Sequence, residues 1–153
     1  MTSLAFDVIN CLQGKTLATA ESCTGGGIGH VLTAVPGASN VYKGGVISYC
    51  NEIKEKMLCV PAEILAKRGA VSAPVAEAMA MGARAALRTD IAVSVTGLAG
   101  PSGDEFGNSV GTVYIGYADE NICLSRHFIF KGDRDAVREQ AVASALKLIL
   151  EYA

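Results

Sequence analysis

"KTLATAESCTGGGIGH", residues 15–30, joins two periodicities at a glycine hinge. From Lys15 to Glu21 apolar and polar residues alternate as in a short strand, and after Gly25, Gly26 and Gly27 the apolar residues Ile28, Val31 and Leu32 take helical spacing. A strand that runs through a glycine turn straight into a helix is the first half of an α/β unit.

The chain on either side repeats the alternation. "SLAFDVINCLQ", residues 3–13, sets Leu4, Val8, Cys11 and Leu12 on one helical face. "VYKGGVISYC", residues 41–50, reads as the next strand, and Asn51 then stands where a side-chain oxygen would cap the short helix "EIKEKMLCV". "PVAEAMAMGARAALR", residues 74–88, is built of strong helix formers, and "DIAVSVTG", residues 90–97, is an apolar strand that stops at glycine. Beyond the loop "LAGPSGDEFGNS", the segments "VGTVYIGYAD" and "NICLSRHFIF" form an antiparallel pair across a tight polar turn. The tail "DRDAVREQAVASALKLILEY" aligns Val137, Ala141, Ala145, Leu148 and Tyr152 as a closing helix. The expectation is an α/β fold: a three-layer α/β/α sandwich on a mixed, mostly parallel sheet with a late antiparallel hairpin, in one domain over residues 1–153.

Composition narrows the function classes. A formal net charge of -2 gives no general affinity for nucleic acid phosphates. The 5 cysteines are odd in number and lack both CxxC spacing and a paired His/Cys pattern, as expected of reduced thiols in a cytoplasmic protein that holds no metal. No basic-then-apolar leader opens the sequence and no apolar run approaches the roughly 18 residues of a spanning helix, so no membrane partner is expected.

Two glycine-rich loops, residues 21–27 and 97–109, follow the C-terminal ends of apolar strands, where α/β sheets bind ligands. Gly25, Gly26 and Gly27 let backbone approach a ligand, and the helix start behind them offers free N–H groups to a phosphate or oxyanion. The same glycines also suit a plain strand-to-helix joint, and both readings stand. A dinucleotide loop is excluded because His30 stands where its last glycine belongs, and no Gly-Lys-Ser/Thr follows for a triphosphate loop.

Ser22 would need a base. Only His30 and His127 exist, each set in a regular element without a carboxylate at triad spacing. A lysine can take that role, and Lys54 would lie at the third helical position after an Asn51 cap. The helix dipole lowers its pKa there by about 0.3–1 kcal/mol, whereas bringing a lysine from about 10.4 to about 7 takes roughly 4.6, so burial must supply most of the shift. The alternative is a solvated lysine among Glu52, Glu55 and Lys56. Cys23 is the rival nucleophile if a helix N-terminus lowers its pKa, or else a small buried apolar group.

Six stretches in order, "AESCTGG" (20–26), "SYCNEIKEKMLCV" (48–60), "GAVSAPVAEAMA" (69–80), "VTGLAGPSG" (95–103), "VGTVYIGYA" (110–118) and "GDRDAVREQA" (132–141), resemble the CinA C-terminal domain family. These are the competence/damage-inducible proteins whose active members deamidate nicotinamide mononucleotide. The resemblance spans residues 4 to 150 and finds no counterpart of the additional N-terminal domain of longer members. It implies hydrolysis of the nucleotide's carboxamide to nicotinate mononucleotide and ammonia, without metal or cofactor. Ser22 matches the nucleophile, Lys54 its activating base, Tyr49 a tyrosine of the catalytic group, and Thr96 a position lining the site. Thr24, Gly25, Gly26, Asn51, Gly97, Ala99, Gly100 and Arg134 are the implied substrate-binding residues. Arg138 is a further phosphate contact unless, like Arg134, it only caps and solvates the final helix. Relatives of this kind tend to form homo-oligomers. Two departures stand out: Cys50 replaces a serine, and Asn108-Ser109 replaces a Lys-Pro common in active relatives. The alternative function is a nucleotide-binding module with a disabled site.

Overall fold

The computed structural model describes all 153 residues. Helix α1 (Thr2–Cys11) precedes β1 (Leu17–Glu21) and α2 (Gly27–Thr33), and a 3-10 turn (Ala38–Asn40) leads into β2 (Tyr42–Ile47). Then come α3 (Asn51–Leu58), α4 (Ala62–Arg68), α5 (Ala73–Leu87), β3 (Ile91–Gly97), β4 (Thr112–Ala118), β5 (Cys123–Ile129) and α6 (Arg134–Tyr152). The sheet order is β2-β1-β3-β4-β5. β1 runs parallel to both its neighbours, and β4 alone is reversed, pairing antiparallel with β3 and β5. This is the mixed sheet with a late hairpin that the pattern predicts.

Helices cover both faces. α1, α2 and α6 enclose the larger core with Leu17, Ile91, Val93, Val95, Val113, Ile115 and Tyr117, while α3, α4 and α5 enclose a smaller one with Ala18, Ala20 and Ala92. The parity of each strand thus sorts large side chains to one face and small ones to the other. Small residues on the second face bring α5 close to the sheet: Ser94 Oγ donates to the Ala76 carbonyl at 2.6 Å, and a β-carbon on Gly116 would run into that same carbonyl.

Some local expectations shift for identifiable reasons. The alternation in β1 separates two buried faces rather than inside from outside, since all five of its residues are buried. On α1 the buried stripe is Ala5, Val8 and Ile9, continued by Leu12 just past its end, with Cys11 turned to solvent. β2 ends at Ile47, so Ser48, Tyr49 and Cys50 form a connection instead of a strand end. α4 and the 3-10 turn are too short to register as periodic segments.

Asn51 is not the cap of α3. Cys50 holds that position in an extended conformation (φ -112, ψ 163), and the Lys54 N–H closes the first turn onto the Cys50 carbonyl at 3.1 Å. Lys54 is therefore the fourth helical residue. The ends of β1, β2 and β3 lie together at one edge of the sheet, which brings Ser22, Tyr49 and Gly97 into one neighbourhood.

Gly116→Ala should destabilise the fold by about 1–3 kcal/mol, the usual cost of overpacking, because the added carbon meets backbone of α5. Urea unfolding at neutral pH measures it, with a lowered midpoint expected.

Candidate active site

Ser22 sits where β1 gives way to a turn. Its N–H continues the β1–β3 ladder by donating to the Val95 carbonyl at 3.0 Å, and its own carbonyl accepts from the Gly25 N–H at 3.1 Å. The turn then passes through Gly25 (φ 59) and Gly26 (φ 99), left-handed conformations that favour glycine. The glycines reverse the chain so that α2 can start one residue later.

The start of α2 is already occupied. Buried Glu21 accepts from the Ile28 N–H at 2.9 Å and the Gly29 N–H at 3.1 Å, and from the Thr24 hydroxyl at 2.7 Å. The protein's own carboxylate thus takes the place expected for a ligand phosphate. Thr24, Gly25 and Gly26, assigned to substrate binding by resemblance, do not line the cleft that holds Ser22 and Lys54.

Lys54 is 1% exposed and directed at Ser22. Its Nζ donates to Ser22 Oγ at 2.9 Å and to the Ser48 carbonyl at 2.7 Å, and no carboxylate pairs with it. Burial lowers its pKa to about 8, against the opposing influence of the Cys50 and Cys23 thiols. A neutral amine keeps two N–H donors and gains one lone pair. With one N–H held by the Ser48 carbonyl, the lone pair is free to accept the Ser22 proton.

The other walls of the cleft come from three elements. Tyr49 from the β2–α3 connection and Asn51 at the start of α3 contribute one, Thr96, Gly97, Ala99, Gly100 and Ser102 from the end of β3 onward another, and Arg134 at the start of α6 the third. Ala70 and Val71 close the remaining side. Tyr49 is largely exposed, and its hydroxyl accepts from Arg134 Nη2 at 3.0 Å, not from Ser22 or Lys54. Arg134 Nη1 also donates to the Gly100 carbonyl, so one guanidinium bridges two walls. The Thr96 hydroxyl donates to the Ala70 carbonyl at 2.8 Å, which makes Thr96 a wall residue that ties β3 to the α4–α5 connection.

Cys23 lines the cleft, yet burial pushes its thiol up to about 11. A protonated thiol at neutral pH is a poor nucleophile, so the serine is favoured over its neighbour. Arg138 lies behind the turn, with Nε donating to the Cys23 carbonyl at 3.0 Å and Nη2 to the Thr24 carbonyl at 3.3 Å. It does not line the cleft. His30 and His127 are both exposed, and the latter stacks on Tyr114 at 4.5 Å.

The loop from Ser102 to Ser109 is folded on itself. Asp104 accepts from the N–H groups of Phe106 and Asn108 and from Asn108 Nδ2, which also donates to the Val71 carbonyl at 3.1 Å. Burial opposes ionisation of Asp104, but these bonds outweigh it and hold its pKa below the usual value. Asn108 thereby braces the Val71 wall. Sequence reasoning missed Glu21 and Ser48, although a carboxylate placed just before a glycine turn and a helix is a signal for the first.

Comparison with known proteins agrees with this architecture. The CinA C-terminal domain model matches residues 2–153. A CinA-like protein of Citrifermentans bemidjiense is 50% identical over 140 residues, 92% of this chain and 34% of the relative. One from a Synechococcus strain is 48% identical over 151 residues, covering 96% and 36%. The chain thus spans about a third of the length of these curated relatives. Among solved structures, competence damage-inducible protein A from Klebsiella pneumoniae superposes with TM-score 0.96 at 36% identity, covering 99% of this chain and 95% of the other. Competence/damage inducible protein CihA from Agrobacterium tumefaciens gives 0.94 at 36% identity, covering 98% and 93%. The chain belongs to the CinA C-terminal domain family. No helix is long and apolar enough to cross a membrane.

The buried lysine has a cost in stability. With a pKa of about 8 when folded and 10.5 as its ordinary value, the unfolded chain holds a proton across that window that the folded chain has released, so stability rises with pH there. Below the window the full penalty applies, about 3 kcal/mol. Lys54→Met should be more stable than wild type at neutral pH and lose that advantage as pH climbs through the window, as read by urea unfolding at both ends.

Proposed function

We propose that the chain is a metal-independent amidohydrolase that deamidates nicotinamide mononucleotide in the cytoplasm, with Ser22 as nucleophile and Lys54 as its base. The observation that carries this reading is the 2.9 Å contact between Ser22 Oγ and a buried lysine amine that has no carboxylate partner. A structural lysine buried this deeply would be expected to have a counter-ion.

The chemistry follows from the groups in place. Neutral Lys54 accepts the Ser22 proton as Oγ attacks the carboxamide carbon, and the carbonyl oxygen becomes an oxyanion. The N–H groups of Cys23, Ala99 and Gly100 are among those of cleft-lining residues that donate to no backbone acceptor, and they suit the role of oxyanion donors. Lys54 then passes its proton to the departing nitrogen, ammonia leaves, and an ester on Ser22 remains. Lys54 deprotonates a water that hydrolyses this ester to nicotinate mononucleotide, and passes the proton to Ser22 Oγ to restore the serine. Arg134 suits the substrate phosphate, since its guanidinium can exchange the Tyr49 hydroxyl and Gly100 carbonyl for a bidentate anion. Tyr49 then serves binding more than proton transfer.

Ammonia release from nicotinamide mononucleotide tests the proposal. Wild type and Cys23→Ala should turn over at similar rates, and Ser22→Ala and Lys54→Ala should each lose about a thousandfold or more. Absence of release from wild type, with a nucleotide-induced rise in melting temperature, would instead identify a binding module.

A further inference from the structure

We propose that Glu21 and Arg138 are positioning residues that together hold the Ser22 turn, an inference that rests on Ser22 being the nucleophile. Glu21 is 1% exposed and has no cationic partner. A buried carboxylate of this kind is tolerated only when several donors satisfy it, and here there are three. A helix that needed only a cap would obtain one from a small polar residue at its N-cap, but that position is Gly26, which has no side chain to offer. Glu21 does more than cap. By binding the Thr24 hydroxyl as well as α2, it brackets Ser22 and Cys23 between two anchored residues.

Arg138 holds the turn from α6, in the same layer as α2. It draws the Cys23 and Thr24 carbonyls toward α6. A trans peptide is planar, so fixing the Cys23 carbonyl directs the Thr24 N–H the other way, and the orientation of the turn's amides is set from outside the cleft. Neither Glu21 nor Arg138 lines that cleft. Their influence on the reaction therefore passes through Ser22, where displacement of about 1 Å can cost about a hundredfold in rate.

Four variants of the full chain test this: Thr24→Val, which removes the hydroxyl at constant shape, Thr24→Ser, which keeps it, and Arg138→Ala and Arg138→Lys. The readouts are kcat and KM for nicotinamide mononucleotide, melting temperature, and the rate at which diisopropyl fluorophosphate modifies Ser22. Thr24→Val and Arg138→Ala should lower kcat about ten- to a hundredfold with KM within about twofold, and should slow Ser22 modification in parallel. Thr24→Ser should recover most of the rate, and Arg138→Lys should fall between wild type and Arg138→Ala. The proposal is overturned if these variants only melt earlier while kcat per folded molecule is unchanged, or if KM rises while kcat holds. If wild type is modified at Ser22 but releases no ammonia, the deamidase reading fails and the modification rates still decide the positioning claim. If wild type shows neither reaction, both fall.

Discussion

An amine enclosed without a counter-ion is the constraint on which the rest of the structure depends. Lys54 is held between a serine hydroxyl and a backbone carbonyl, and nothing nearby compensates its charge. Burial therefore favours the unprotonated form, the one form of lysine able to act as a base. The helix dipole, weak and confined to the first turn, is secondary to this desolvation. The same enclosure separates the two candidate nucleophiles: it raises the Cys23 thiol out of its reactive range and leaves the Ser22 hydroxyl beside the Lys54 amine.

The fold supplies that enclosure through the asymmetry of its sheet. Large side chains fill the face under α1, α2 and α6, whereas alanine, serine and glycine on the other face admit α5 closely, with α3 and α4 beside it. Lys54 reaches Ser22 from α3, and Thr96 fastens the α4–α5 connection to β3 so that this side stays closed. Arg138 reaches the Ser22 turn from α6 on the opposite side of the sheet. Ser22 is thus fixed by elements from both layers.

Architecture was largely legible in the sequence because parity and helical spacing are strong where elements are long, as in "DIAVSVTG" and the final helix. Short elements such as α4 escaped, and the cap of α3 was misplaced by one residue because β2 leaves the sheet at Ile47 and the backbone, not the best capping side chain, decides where the turn begins. Ser22 and Lys54 were identified by motif, yet their contact spans 32 positions and only the fold could display it. The glycine loop misled in a specific way. Its helix start looked like an anion site, and it is one, but the anion is Glu21 of the same chain. A pattern can show that free amides exist without showing which carboxylate has already taken them.

Direct titration of Lys54 tests the central claim most simply, because it needs no substrate. Lysine labelled with 15N at Nζ, with Lys54→Met to assign the resonance, gives the midpoint by NMR. The account predicts a midpoint near 8. A midpoint at the ordinary lysine value of 10.5 would contradict it, since Lys54 would then be a protonated structural residue and Ser22 would lack its base.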